Sequence, residues 1–395
     1  MMTALHGYAD DRFDGLREAF RSRLDDGTEI GASVAVAVEG RMVVDLWGGW
    51  VDEAHSAEWA EDTLTNVWST TKTVTALAAL MLVDRGQLDL HAPVAKYWPE
   101  FAANGKEAIE VRHLLAHTSG LSGWEHPFAM EDMYDWDRST ALLAAQAPWW
   151  EPGTASGYHA MTYGHLVGEV VRRITGTHLG EFVASEIAGP LGADLHIGLD
   201  PAEFHRVSVN VPPTMPAPAA DGGPDEPDVP AIDPDSVPVK TFSGPVQRFD
   251  IVGEPGWLQA DIGAANGQAN ARSLARVQSV VSNGGEVDGV RLLSPATIDL
   301  IFDEQSNGVD LAIGIPLRFG IGYGLPRLDS VGFVPEGRNC YWIGAGGAVV
   351  VNAVDLGMTV AYAPNRLRFD LPMGSTSGAA YVSAAFAALT GARSA

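Results

Sequence analysis

Residues 66–90 read NVWSTTKTVTALAALMLVDRGQLDL. Val74, Leu77, Ala78, Met81 and Leu82 recur at helical spacing, so one face of a helix is built for burial, and Gly86 supplies its stop. Ser69 and Lys72 are three residues apart, which on a helix sets both side chains on one face, one turn from each other. Beside a helix N-terminus, Ser69 also sits among unpaired backbone N–H groups. A hydroxyl, an amine one turn away and free amide donors are the parts of an acyl-transfer site. The competing reading is a capping serine followed by a solvated lysine, which needs no chemistry. The chain has four lysines and only Lys72 has a serine three residues before it, a pairing that chance supplies often enough to be weak evidence by itself; what counts against the capping reading is the helix that follows, apolar enough to desolvate an amine.

The composition bounds the function. A chain of 395 residues with 46% hydrophobic and 19% charged residues is globular and long enough for an ample core. A net charge of −25 argues against nucleic acid and anionic membrane surfaces as partners. The lone Cys340 excludes an internal disulfide and any multi-cysteine metal site. The start, MMTALHGYADDRFDGL, has neither a basic nor an apolar leader region, and no run reaches the length of a membrane span, so a cytoplasmic location is expected.

Taken in order, residues 10–25 form an amphipathic helix with Phe13, Leu16, Phe20 and Leu24 on one face. ASVAVAVEGRMVVDLWGGWVD (32–52) is a hairpin turning at Glu39-Gly40. Residues 92–180 are mainly helical in pattern, with Tyr158 and Tyr163 placed before a helix. From Val211 to Pro255 the composition turns to Pro and Asp without periodicity, either a disordered acidic linker or, as favoured here, a long ordered surface excursion. A helix at 271–282, a turn at Asn283-Gly284-Gly285, a helix after Ser294-Pro295, two antiparallel strands within 340–367 and a closing helix at 378–389 complete the chain. Strands at both ends with helices between predict an α/β (α+β) protein in which sequence-distant strands share one antiparallel sheet. The expected division is 1–65 and 256–395 as the two parts of an α/β domain, with a mainly helical domain at 66–255.

Five segments in this order, STTK (69–72), HLLAHTSGL (113–121), GYHAMTYGHLVGEVVRRITG (157–176), NARSLARVQSVVSNGGEVDGVRLLS (270–294) and WIGAGGAVV (342–350), resemble the serine β-lactamase and penicillin-recognising hydrolase superfamily. Within it they are most similar to carboxylesterases related to class C β-lactamases, over roughly residues 15–390. The resemblance implies a β-lactamase/transpeptidase-like fold, with Ser69 as nucleophile, Lys72 as the amine that activates it, and Tyr158 as general base or proton shuttle. A poor nucleophile such as serine needs a base within hydrogen-bond reach, and which of Lys72 and Tyr158 takes the proton is left open. By itself, Tyr158 would read as a core tyrosine.

The family's third motif, Lys-Thr-Gly, corresponds to Trp342-Ile343-Gly344, which removes a cation and a hydroxyl from substrate recognition. Gly344 still permits close approach, so the N–H of Ala345 can complete an oxyanion hole with that of Ser69. His196-Ile197-Gly198 mimics this motif but falls too early in the chain. The second motif, Tyr-x-Asn, becomes Tyr158-His159-Ala160 and loses its amide. Both departures point to small, neutral, apolar esters, with Trp342 in the pocket and Trp124, Phe128, Tyr134, Trp136, Trp149 and Trp150 as possible neighbours. An acyltransferase, a weak β-lactamase or amide hydrolase, and an inert binding module are the alternatives; the intact Ser69, Lys72 and Tyr158 count against the last. His117 suggests a Ser-His-Asp triad, but no GxSxG elbow accompanies it, and it is assigned a structural role. His113 and His117 lack an acidic third ligand, so neither metal nor cofactor is expected.

Overall fold

The computed structural model describes residues 3–213, 233–246 and 248–391. Its centre is a six-stranded antiparallel sheet. Three strands come from the start of the chain, β1 (Leu5–Ala9), β2 (Gly31–Val38) and β3 (Arg41–Gly49), and three from the end, β4 (Asn339–Ile343), β5 (Val349–Ala353) and β6 (Met358–Pro364). The order is β1-β3-β2-β6-β5-β4, so the two halves join where Val36 faces Val360. The hairpin turns at Glu39 and Gly40, both at positive φ.

Side chains alternate across the sheet. Val34, Val36, Val351, Val360 and Tyr362 face one core, closed by α1 (Asp14–Asp25) and the last helix, whose Phe20, Leu24, Tyr381 and Phe386 pack there. Ala35, Val350, Ala361 and Trp342 face the other core, shared with the helical region. Burial on both faces is why these strands read as continuous apolar runs.

The end of the chain carries three strands where two were expected. Gly344 to Gly347 break the run: Gly346 and Gly347 take φ of 75° and 108°, and the chain reverses through them into β5. A second difference concerns α2 (Thr71–Asp84). One buried face was expected, yet Thr71 through Leu82 are all buried, because this helix lies inside the helical region. Tyr163, expected ahead of a helix, lies within α3 (Thr162–Thr175). Of the Pro/Asp-rich stretch, 214–232 lies outside the described residues. The part after it is an ordered surface segment: helix Val237–Ser243 docks through Thr241 to Ser122 (2.6 Å) and through Lys240 to Glu125 (3.0 Å).

Candidate active site

The strand Thr65–Asn66 ends in a 3-10 turn, Trp68–Thr70, that runs into α2. The turn is clamped at its base: Val67 N–H donates to the Gly267 carbonyl (2.9 Å), and Thr71 Oγ1 accepts from the Gly267 N–H (2.9 Å). Trp68 adopts φ 49°, an unfavourable value for a bulky side chain. Its ring is held by Phe249 at 5.4 Å and Trp257 at 5.7 Å. Ser69 is thus presented at the head of a buried helix.

Lys72, one turn on, is fully buried. Its Nζ lies 3.2 Å from Ser69 Oγ and 2.8 Å from each of the Ala160 and Ala264 carbonyl oxygens. Burial, with no charged partner among the described residues to offset it, pushes the Lys72 amine well below the usual lysine range. A neutral amine here keeps two N–H donors for the two carbonyls and turns its lone pair to the serine hydroxyl.

Tyr158 comes from the loop before α3, and Lys72 Nζ sits 4.8 Å from its ring centre. Burial raises the phenol to about 12; hydrogen bonding with Ser69 and Trp342 offsets part of this, and the Asp310 carboxylate adds to it. The phenol is therefore a proton donor at neutral pH. His117, given a structural role from the sequence, is fully buried against this group. Its ring centre is 5.2 Å from Tyr158 and 5.3 Å from Trp342, and its Nδ1 accepts from the His159 N–H at 3.0 Å. Burial and the neighbouring His159 and Lys72 hold His117 well below the usual histidine range, so it is neutral.

The third-motif strand closes the site. A Cβ on Gly344 would stand 2.5 Å from the Val67 carbonyl oxygen and 3.2 Å from Trp68 Cβ, so only glycine lets β4 run this close to the Ser69 turn. Ser69, Tyr158, Trp342, Ile343, Gly344 and Ala345 line one cleft with about 770 Å³ of empty space, open to solvent. His196 is elsewhere, in a small three-stranded sheet, with its Nε2 2.8 Å from Asp194.

None of the six aromatics considered as neighbours of Trp342 lines the cleft. Trp124 stacks on Phe128 at 4.3 Å in the core, Trp136 donates to Glu169 at 2.7 Å, and Trp149 lies under Lys240. The apolar lining comes instead from Ile313, Leu317 and Phe319 of one segment and Phe369, Leu371 and Met373 of another. The sequence reading passed over both segments. Leu317 and Phe319 carried a usable signal, since they alternate along the strand Pro316–Phe319. The 369–373 loop has no periodicity to find. Among the described residues no group of three or more His, Cys, Asp or Glu could hold a metal ion.

Comparison with known proteins places this geometry in context. The family model described as beta-lactamase matches residues 16–380. The esterase/beta-lactamase LipL of Mycobacterium tuberculosis is 35% identical over 387 residues, covering 94% of this chain and 85% of that protein. Among solved structures, a family VIII carboxylesterase superposes with a TM-score of 0.89 at 36% identity, covering 98% of this chain and 100% of its own. A penicillin-binding protein homologue from Caulobacter crescentus, also 36% identical, gives 0.87 over 98% and 100% of the two chains.

Proposed function

The chain belongs to the beta-lactamase family, and from that premise we propose that it is a serine carboxylesterase that hydrolyses small neutral, apolar esters through an acyl-enzyme on Ser69. The observation that carries the reading is the fully buried Lys72 amine 3.2 Å from Ser69 Oγ, depressed by burial and without a charged partner among the described residues. Ser69 Oγ attacks the ester carbonyl while its proton passes to Lys72 Nζ. The carbonyl oxygen, now negative, is held by the N–H groups of Ser69 and Ala345. On collapse the C–O bond to the alcohol breaks, and the leaving oxygen takes a proton from the Tyr158 hydroxyl, which Lys72 replenishes. Water then repeats the sequence on the acyl-enzyme and frees Ser69.

The substrate class follows from the walls. By the resemblance Trp342 and Ile343 correspond to the Lys and Thr that hold a substrate carboxylate in the β-lactamases, and in support both line the cleft, whose six other wall residues are apolar. A carboxylate desolvated there without a partner would cost several kcal/mol, about a thousandfold or more in rate. Beta-lactam hydrolysis is the second reading, favoured by the name of the LipL relative. The test is kcat/KM for p-nitrophenyl butyrate and for nitrocefin, with Ser69→Ala and fluorophosphonate labelling as controls. The proposal expects stoichiometric labelling at Ser69, loss of ester turnover in Ser69→Ala by about 10⁴-fold or more, and poor nitrocefin turnover. Equal efficiency on nitrocefin would overturn the apolar-ester reading; a folded Ser69→Ala protein that still turns over the ester would overturn the nucleophile.

A further inference from the structure

Asp310 is fully buried, 152 residues away in sequence from the tyrosine it serves. It follows the strand Ser306–Val309 and opens the turn that leads to Pro316–Phe319. Its Oδ1 accepts three backbone hydrogen bonds, each 3.0 Å long: from Tyr158 N–H, from Ala312 N–H and from Ile313 N–H. Its Oδ2 is buried and has no partner among the described residues. A buried carboxylate with an idle oxygen is costly, and such groups collect where a site needs them.

The neighbouring contacts say what is being held. Leu311 N–H donates to the Ser156 carbonyl at 2.8 Å, so the turn lies along the tyrosine loop. From the other side, His117 accepts the His159 N–H with Nδ1 and the Gly157 N–H with its carbonyl, at 3.0 and 2.9 Å. Tyr158 is therefore gripped at three consecutive backbone positions, and Asp310 alone holds the tyrosine's own N–H. The same oxygen fixes Ile313, which forms part of the cleft wall.

We propose that Asp310 is a positioning residue for ester hydrolysis: its Oδ1 ties the Tyr158 backbone to the turn bearing Ile313, and so sets the Tyr158 hydroxyl against Ser69 and Lys72. The inference rests on the reading of Tyr158 as the proton-transfer residue. Beside burial, which raises the Tyr158 phenol most, the Asp310 carboxylate also helps keep it protonated, in keeping with a donor role.

Three substitutions separate the possibilities. Asp310→Asn keeps a carbonyl acceptor in place and removes the charge. Asp310→Glu keeps charge and acceptor but moves the oxygen by one methylene. Asp310→Ala removes the acceptor. With p-nitrophenyl butyrate, measured well below each variant's melting temperature, Asp310→Ala and Asp310→Glu are expected to lose about 30-fold or more in kcat, because misplacing a catalytic group by an ångström is that costly. Asp310→Asn should recover to within about fivefold of the parent enzyme, as three backbone donors keep their acceptor. The rate of fluorophosphonate labelling at Ser69 should fall in parallel with kcat. Parent-like kcat in folded Asp310→Glu and Asp310→Ala, or Asp310→Asn as slow as Asp310→Glu, would overturn the proposal. Tyr158→Phe is run beside them. Parent-like turnover in that variant refutes the role of Tyr158 itself, whereas a slow Tyr158→Phe with fast Asp310 variants refutes the positioning role alone.

Discussion

Two lysines in this protein are fully enclosed, and each offers its amine to three acceptors. Lys106 donates to the carbonyls of Ala103 at 2.7 Å and Ala144 at 3.0 Å, and to that of Gln146, stapling its own turn to the end of the helix Trp136–Ala145. Lys72 has two carbonyls and the Ser69 hydroxyl. Burial lowers both amines: Lys106 to about 8, and Lys72 well below the usual lysine range. The third acceptor separates them. A carbonyl can only accept, so Lys106 satisfies its cage as an ammonium; a hydroxyl can also donate, so Lys72 can lose its proton and gain the serine's. Desolvation makes a lysine unusual, and its neighbour's hydrogen decides whether that does chemistry.

The comparison breaks most readily on paired methionine variants. Lys72→Met is expected to lower kcat for p-nitrophenyl butyrate by about 10³-fold, whereas Lys106→Met should stay within about twofold. A comparable loss in both, in folded proteins, would mean that enclosure rather than the serine matters. Stability should respond the other way. Lys106→Met strands three buried carbonyls and should cost about 3 kcal/mol in urea unfolding at pH 7. Because the folded-state pKa is lowered, the unfolded chain binds this proton more tightly, and the deficit relative to the parent should widen as pH rises from about 8 toward 10.5. A deficit that shrinks over that interval would reverse the sign of the argument.

A pH–rate profile sharpens the contrast. Lys72 must be neutral to accept the serine proton, so kcat/KM should fall on the acid side by about tenfold per pH unit below the lowered lysine pKa. No alkaline loss from Tyr158 is expected until about pH 12. Lys106→Met should leave the acid limb where it is; a limb that moves with Lys106 belongs to the wrong lysine. The smallest effect is in the double variant. Adding Tyr158→Phe to Lys72→Met should cost less than about threefold more, since the two act as one proton-transfer unit. Multiplying losses would mean that they work separately.

Much of this was legible in the sequence. Ser69 and Lys72 stand on one turn of a helix, and a helix fixes spacing locally, so their proximity follows from three residues of separation. The sheet was legible because strands at the two ends each had apolar faces that neither end could bury alone. What stayed hidden depends on distant segments meeting. Asp310 and Phe369 reach the site from loops with no period, whereas the six aromatics considered for the pocket lie elsewhere, Trp124, Phe128 and Trp136 buried in the core and Tyr134, Trp149 and Trp150 half-buried away from the cleft. The third strand was missed because Gly346 and Gly347 reverse the chain inside what reads as one apolar run.

The junction of Val36 with Val360 has a consequence for how the protein comes into being. The hairpin of β2 and β3 is synthesised some three hundred residues before β6, the strand that must lie beside it. Until that strand arrives, β2 presents a bare apolar edge, open to pairing with other chains. Closing the sheet brings together segments more than three hundred residues apart, an arrangement that folds slowly. A chain cut short before β6 would therefore contain Ser69, Lys72 and Tyr158 in its sequence and still lack the strand that joins the two halves of the sheet.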